Sequence, residues 1–201
     1  ININNINEQH KSDATYKTIL NNVVADLKSD TLNLNNAIEN FKARKRILAP
    51  ILKGTFTPEQ FKTCLLCGPT ISSFYPISLN DKGYLLLKNF YENTQETDSL
   101  STKIVQFYIK YDETVDELEN EMKVTTVNTV KHWRDNYPWF ANTRSNIRDD
   151  RFVTYLQSED YRNRVAYFDL IVDNLLLYLH QYKMEATEIL IEIDAHLNKK
   201  K

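Results

Sequence analysis

Residues 159–198 read EDYRNRVAYFDLIVDNLLLYLHQYKMEATEILIEIDAHLN, a run that contains neither glycine nor proline. Apolar and aromatic residues recur in it at alternating steps of four and three, which places them along one side of an α-helix. Ser158 just before the run is a suitable N-cap. The pattern therefore predicts one long helix over about 159–198 that buries this seam against other helices. The seam consists of Tyr161, Val165, Phe168, Val172, Leu175, Leu179, Tyr182, Ala186, Ile189 and Ile193.

Two more seams of the same kind predict long helices over about 8–49 and 98–135. We expect the first to end at Pro50, because a proline disfavours helical geometry in the residue before it. The second begins at an Asp98 cap and ends before Pro138. The seams consist of Tyr16, Leu20, Val23, Leu27, Leu34, Ala37, Phe41 and Leu48, and of Leu100, Ile104, Phe107, Tyr111, Leu118 and Met122.

Shorter helices are predicted between the long ones. Residues 57–60, Thr-Pro-Glu-Gln, have the pattern of a capping box and open a short helix that we expect to stop at Gly68. Residues 68–76 are interpreted as a loop, and Ser78 as the cap of the next helix. The segment 138–157 is interpreted as a loop with one short helix near its end, around Arg151–Leu156.

The predicted fold is all-α, an elongated antiparallel helical bundle that forms a single domain over residues 1–201. Apolar residues make up 42% of the chain and charged residues 26%, which argues against disorder. The net charge of −2 provides no general attraction for nucleic acid, so no nucleic-acid partner is expected. No apolar run approaches the roughly 18 residues that a membrane span requires.

Cys64-Leu65-Leu66-Cys67 is the one motif that looks like chemistry. A redox-active thiolate normally lies at a helix N-terminus, where the helix dipole lowers its pKa. The predicted helix places this pair in its last turn before Gly68, at the end that disfavours a thiolate. A structural disulfide or two packed thiols is therefore the favoured interpretation of Cys64 and Cys67, and a redox pair is the alternative.

Two charged residues, Asp30 and Arg44, interrupt the first seam. If buried, they would need partners, and would mark a ligand pocket or fix the register of the helices. The favoured alternative is that Arg44 extends toward solvent near the helix end and Asp30 faces an opening in the bundle, because charged residues are rarely fully buried.

The sequence assigns no catalytic, cofactor-binding or metal-binding residue. Glu192 and His196 lie four residues apart on the last helix, but a metal site needs a further ligand that the sequence does not place. The aromatic stretch from Trp133 to Phe140 is accompanied by basic residues, yet interleaved aspartates cancel most of their charge. We interpret this stretch as a hydrophobic cap that closes one end of the bundle.

Two segments of the sequence carry short motifs that are known from another set of proteins. They are Ile3-Asn4-Asn5-Ile6-Asn7-Glu8, Ile19-Leu20, Asp26-Leu27, Asp30 and Leu34, and then Gly83-Tyr84, Leu87-Lys88-Asn89, Leu100, Ile104, Phe107 and Tyr108. These segments resemble a family of uncharacterised single-pass membrane proteins of Bacteroidetes. In that family a membrane helix ends in an Ile-Asn-Asn-Trp-Asn-Glu-like signature and continues as a long helix with a Leu/Asp pattern, before a central segment with a Tyr/Leu-Lys stretch. Ile6 stands where the family usually has tryptophan.

The resemblance implies that a transmembrane segment precedes Ile1 and that the chain is the periplasmic part of an inner-membrane protein. The family has no known activity to carry over, but the bundle pattern and the absence of a catalytic signature, together with the resemblance, favour a non-enzymatic function. The expected function is binding, sensing or envelope scaffolding, with no cofactor and with a protein partner or small ligand that the sequence does not identify. A ligand is expected near Asp30 or beneath residues 68–78. One alternative is a metal-dependent protein or enzyme with a site between helices. The other is a cytoplasmic helical adaptor, whose cysteines would stay reduced.

Overall fold

The computed structural model describes residues 3–94, 98–145 and 149–199. Within those ranges the chain forms eight α-helices and no β-strand. The prediction of an all-α fold with three long helices packed antiparallel is confirmed. The helices are α1 (Ile3–Leu52), α2 (Pro58–Thr63), α3 (Cys67–Ser72), α4 (Lys82–Thr94), α5 (Ser99–Asn136), α6 (Phe140–Arg144), α7 (Asp150–Leu156) and α8 (Glu159–Lys199).

The ten seam residues of α8 are all buried, and none exposes more than 1% of its surface. Three of the four predicted caps also form. Asp98 Oδ1 accepts a hydrogen bond from Ser101 N at 2.7 Å at the start of α5, and Ser158 Oγ accepts one from Tyr161 N at 3.2 Å at the start of α8. The capping box of α2 is closed by hydrogen bonds in both directions between Thr57 and Gln60. Apolar spacing and capping chemistry thus position the long helices.

Several short elements differ from the predictions. Helix α1 continues to Leu52, because a proline at position 50 removes only one donor from the last turns, and Lys53 N still bonds Ala49 O at 3.0 Å. Helix α2 stops at Thr63, and α3 occupies much of the predicted loop 68–76. Pro69 lies in the first turn of α3, where backbone N–H groups have no helical partner in any case.

The segment around residues 78–82 also differs. Helix α4 begins at Lys82, so Ser78 is not its cap. The N–H of Gly83 instead donates to Asp26 Oδ2 on α1 at 2.5 Å. Helix α6 is a further short helix in the segment predicted to be mainly a loop. The start of α4 therefore depends on Asp26, a residue from a distant part of the chain, and local sequence patterns do not indicate such a contact.

The described residues group into two compact units. Unit 1 contains those of 1–36, 77–114 and 178–201, and unit 2 contains those of 37–76 and 115–177. Each long helix contributes residues to both units. The prediction of a single domain over 1–201 stays a prediction.

In unit 1, α8 runs antiparallel to α5 and α1. Lys103 Nζ of α5 contacts Glu192 of α8 at 2.5 Å, whereas Lys110 Nζ contacts Glu185 at 2.6 Å, so the numbering falls along α8 as it rises along α5. The core of this unit includes Leu20, Val23, Leu27, Leu34, Ile104, Tyr111, Leu179, Tyr182 and Ile189.

In unit 2, α8 is again antiparallel to α1. Lys45 Nζ contacts Asp173 at 2.5 Å, and Arg162 donates to the carbonyl of Leu52 at 2.6 Å. The core of this unit includes Phe41, Leu48, Ile71, Met122, Tyr161, Val165, Phe168 and Leu175. In neither unit does a described helix combine the length and the hydropathy that crossing a membrane requires.

Candidate functional site

Asp30 lies in the core of unit 1 and exposes none of its surface. Its carboxylate accepts hydrogen bonds from the backbone and side-chain amides of Asn80, and from the Tyr182 hydroxyl at 2.7 Å. The interpretation that Asp30 faces an opening in the bundle is therefore wrong. A carboxylate can be buried here because donors from two other segments replace water.

The electrostatics of this cluster follow from burial. Burial raises the pKa of Asp30 above its usual value, although the hydrogen bonds from Tyr182 and Asn80 act in the opposite direction. Burial raises the pKa of Tyr182 strongly, and the nearby Asp30 raises it further. The phenol is therefore a hydrogen-bond donor to Asp30 throughout the physiological range.

Asp26 lies one helical turn before Asp30 and extends the cluster. It accepts the N–H of Gly83, while Asp30 accepts the N–H of Asn80, so two carboxylates of α1 bind the chain where it enters α4. A Cβ atom on Gly83 would lie 2.5 Å from the backbone nitrogen of Val23, so only glycine permits this approach. Asp30 thus docks α4 on α1, and its acceptors are occupied by the chain itself.

Arg44 has a similar structural role in unit 2. Its guanidinium donates to the carbonyls of Thr70 at 2.8 Å and Ser73 at 2.6 Å, and lies over the ring of Phe168 at 5.8 Å. Arg44 Nε also donates to Asn40 Oδ1 at 2.9 Å. The expectation that Arg44 extends toward solvent misses these contacts, which satisfy carbonyl groups at the end of α3.

Glu192 and His196 make separate contacts in unit 1. Glu192 binds Lys103, and the ring of His196 packs edge-on against Tyr16 with 5.6 Å between centroids. In the parts of the chain that the structure describes, no group of three or more His, Cys, Asp or Glu side chains is arranged to hold a metal ion.

Unit 2 contains an apolar groove of about 620 Å³, a volume within the range of small-molecule sites. We call it the aromatic groove. It contains both tryptophans of the chain. Helices α2, α3, α5, α6 and α7, with their connections, supply its lining. The lining residues are Phe61, Lys62, Cys64, Leu65, Gly68, Pro69, Ser72, Val130, Trp133, Trp139, Phe140, Thr143, Asp149, Phe152, Val153 and Leu156.

Ring packing fixes the walls of the groove. The Trp139 ring centroid lies 4.8 Å from that of Phe152 and 5.9 Å from that of Trp133. Trp133 Nε1 donates to the Tyr155 hydroxyl at 2.8 Å, and that hydroxyl donates to Asp160 at 2.9 Å. The tryptophans are thus held in place before any ligand binds, which reduces the entropy lost on binding.

The two charged residues of the groove have partners. Asp149 accepts hydrogen bonds from Arg151 and from Asn142, and the Arg151 guanidinium is the main reason that its pKa lies well below the usual range. Lys62 pairs with Glu59 at 2.7 Å. The groove therefore favours an occupant without net charge.

One rim of the groove is the cysteine motif. Cys64 and Cys67 form a disulfide. Between them, Leu65 is 87% exposed and Leu66 is 58% exposed. Leu65 also lines the groove. Since water contact with a leucine side chain is unfavourable, Leu65 provides apolar surface that a bound molecule would cover.

Sequence reasoning located part of this site and missed the rest. The aromatic stretch containing Trp133 and Trp139 was expected to form a hydrophobic cap, and both tryptophans are indeed buried. The groove beside them was not expected, because its other wall comes from the cysteine motif more than sixty residues earlier. The ligand position expected beneath 68–78 is close to it, since Gly68, Pro69 and Ser72 line the groove.

Comparison of the chain with protein-family models, curated proteins and solved structures finds no significant match. The assignment of a function therefore depends on the groove, the disulfide and the residues around them.

Proposed function

We propose that this chain is the extracytoplasmic helical domain of a membrane-tethered protein and that it acts by binding an apolar ligand in the aromatic groove. The observation that carries the proposal is the groove itself, where aromatic walls and the exposed Leu65 surround a space of about 620 Å³. Apolar and aromatic walls with few polar groups are typical of small-molecule sites. The proposal assigns no catalytic residue.

One observation supports the extracytoplasmic location. The disulfide between Cys64 and Cys67 is of a kind that persists in oxidising compartments such as the bacterial periplasm. The resemblance to membrane-anchored proteins implies the same location.

Topology is tested with the full-length gene. We would fuse alkaline phosphatase, which is active only after export, behind Lys201, and compare it with a cytoplasm-only fluorescent reporter. Phosphatase activity supports the extracytoplasmic domain. Fluorescence without phosphatase activity would contradict it and favour the cytoplasmic adaptor.

Binding is tested by tryptophan fluorescence, since Trp133 and Trp139 are the two tryptophans of the chain and both line the groove. We expect the uncharged dye N-phenyl-1-naphthylamine to quench their emission in a saturable way. Leu65→Ser removes apolar rim surface and should weaken dye binding by about five- to tenfold, the equivalent of roughly 1 kcal/mol.

Leu170→Ser is the matched control, because Leu170 is 55% exposed in unit 2 but does not line the groove. It should leave the dye affinity unchanged. Unquenched tryptophan emission at high dye concentration, or equal affinities for the two variants, would contradict the proposed binding site.

A further inference from the structure

A second pocket of unit 2 lies between α5 and α8 and shares no lining residue with the aromatic groove. Its volume is about 310 Å³, at the lower end of the range for small-molecule sites. The two helices are antiparallel here, because His132 contacts Asp160, whereas Glu121 accepts a hydrogen bond from Tyr167 at 2.6 Å. We call it the polar pocket. Its lining residues are Thr125, Asn128 and Thr129 of α5 and Asp160, Asn163, Arg164 and Tyr167 of α8.

The polar pocket contains hydrogen-bonding groups that the fold does not use. Thr129 exposes only 2% of its surface, yet its hydroxyl has no hydrogen-bond partner in the parts of the chain that the structure describes. Within those parts, the side chains of Thr125, Asn128 and Asn163 have no partner either. A buried polar group without a partner is unfavourable, so these groups indicate a place where a molecule other than the protein completes the hydrogen bonding.

The two charges that line the polar pocket cancel. Arg164 Nε donates to Asp160 Oδ2 at 3.2 Å, and the Tyr155 hydroxyl donates to the same oxygen at 2.9 Å. Burial tends to raise the pKa of Asp160, but these hydrogen bonds outweigh it and hold the pKa below its ordinary value, so the carboxylate is ionised at pH 7. A charged ligand attracted by one of the two groups would be repelled by the other. The pocket therefore favours an uncharged ligand.

Tyr167 adds an aromatic face to this polar lining. Its side chain is 48% exposed, and Glu121 holds its hydroxyl, so the ring is fixed at the edge of the pocket. The face of an aromatic ring carries partial negative charge, which attracts aliphatic C–H groups. A matching ligand combines a C–H face with several groups that both donate and accept hydrogen bonds.

We propose that the polar pocket binds a neutral sugar, with one pyranose ring between α5 and α8. Sugar hydroxyls both donate and accept hydrogen bonds, so they can pair with the amides of Asn128 and Asn163 and with the hydroxyl of Thr129. The C–H face of the ring packs on Tyr167. Sugar binding does not depend on the aromatic groove or on its proposed ligand, and no reaction of the sugar is assigned.

The first test uses a matched pair of threonines. Thr129→Val and Thr126→Val each remove an unpaired hydroxyl from a buried residue, but Thr126 does not line the pocket. Saturation-transfer NMR would follow titration with D-glucose, D-mannose, D-galactose and N-acetyl-D-glucosamine up to about 100 mM, which saturates a site with a dissociation constant of about 1 mM. We expect saturable binding of at least one sugar to the wild type. Thr129→Val should weaken that binding by about fivefold, the effect of one hydrogen bond, and Thr126→Val should leave it unchanged.

The second test compares two substitutions of Tyr167. Tyr167→Ala removes the ring and should weaken sugar binding by about five- to tenfold. Tyr167→Phe keeps the ring and loses only the hydrogen bond to Glu121, so it should retain most of the affinity. Circular dichroism establishes that each variant is folded. Should Thr129→Val fail to fold, the two Tyr167 variants still decide the question.

The outcomes are distinct from those for the aromatic groove. No saturable binding of any of the four sugars would overturn the inference, as would equal affinities within either pair of variants. Tighter binding of D-glucuronate than of D-glucose would also overturn it, because the pocket would then select an anion. Dye binding in the aromatic groove should be the same in all four variants, so failure of the sugar site and failure of the groove are separately visible.

Discussion

At the scale of single residues, Asp30 shows how a charge can occupy an apolar seam. Its carboxylate accepts hydrogen bonds from three donor groups, two of Asn80 and one of Tyr182, and Asp30 exposes none of its surface. Asp30→Asn removes the cost of burying a charge but places an amide N–H₂ against these donors, which leaves a buried donor unpaired. We expect the free energy of unfolding to fall by about 1–3 kcal/mol, as measured by urea denaturation at pH 7.

The control for this substitution is Glu39→Gln on the same helix. The side chain of Glu39 is 63% exposed and pairs with Lys42 on the surface. Loss of this surface ion pair should change the free energy of unfolding by less than about 0.5 kcal/mol. Equal stability of the Asp30→Asn variant and the wild type would show that the buried hydrogen bonds contribute nothing to the docking of α4.

Asp98 provides a prediction of pH dependence. Burial tends to raise the pKa of Asp98, but hydrogen bonds from Ser101 and Tyr16 outweigh it and lower the pKa below its ordinary value. The ionised group therefore stabilises the fold above its unfolded pKa of about 3.9, and this contribution is lost as the pH falls through the folded pKa. Asp98→Asn keeps a capping oxygen but loses the charge, so it should reduce stability by about 1 kcal/mol at pH 7.

The measurement is urea denaturation of both proteins between pH 7 and strongly acidic pH. We expect the difference between them to decrease below about pH 3.9 and to disappear in strong acid. Asp116→Asn, at an exposed position on the same helix, is the control for the loss of a carboxylate and should change the stability at pH 7 by less than about 0.5 kcal/mol. A difference that stays constant with pH would mean that the Asp98 charge has no part in stabilising the cap.

At the scale of secondary-structure elements, the docking of α4 requires a residue without a side chain. Gly83 and Gly68 are each the second residue of a short helix, so replacement by alanine improves helix propensity equally at both. A Cβ at Gly83 would lie 2.5 Å from backbone atoms of Val23, whereas at Gly68 it would meet the ring of Phe152 at 2.8 Å. Backbone cannot move aside as a side chain can.

We therefore expect Gly83→Ala to destabilise the protein by about 2 kcal/mol or more, and Gly68→Ala by clearly less. Urea denaturation of the two variants measures this order. The reverse order would contradict the close approach of α4 to α1. Gly68→Ala should also alter dye binding, since it displaces Phe152 at the wall of the aromatic groove.

The elements differ in how far the sequence predicts them. The long helix α8 could be predicted because its apolar seam repeats over many turns, so local chemistry and burial agree. Helices α3 and α4 could not be placed correctly from local patterns. Pro69 looked like part of a loop although a first turn tolerates proline, and α4 takes its capping carboxylate from Asp26, more than fifty residues earlier in the chain.

At the scale of the whole molecule, the candidate site could not be predicted from the sequence, because its residues are far apart along the chain. Five helices bring the walls of the aromatic groove together, and their convergence depends on tertiary packing. The cysteine motif and the aromatic stretch can each be recognised in the sequence. What the sequence lacks is the information that Cys64 and Trp139 line the same space.

The three long helices also lead to a prediction about cooperativity. Helices α1, α5 and α8 are unbroken and each contributes residues to both units, so the two units share three continuous helices. Trp133 and Trp139 report on unit 2, whereas Asp30 lies in unit 1. We expect Asp30→Asn to shift the urea midpoint of tryptophan fluorescence as far as that of circular dichroism, because the chain unfolds in one step. A variant whose fluorescence midpoint stays at the wild-type value while its circular dichroism midpoint falls would contradict this expectation. It would show that the two units unfold separately although the long helices are continuous.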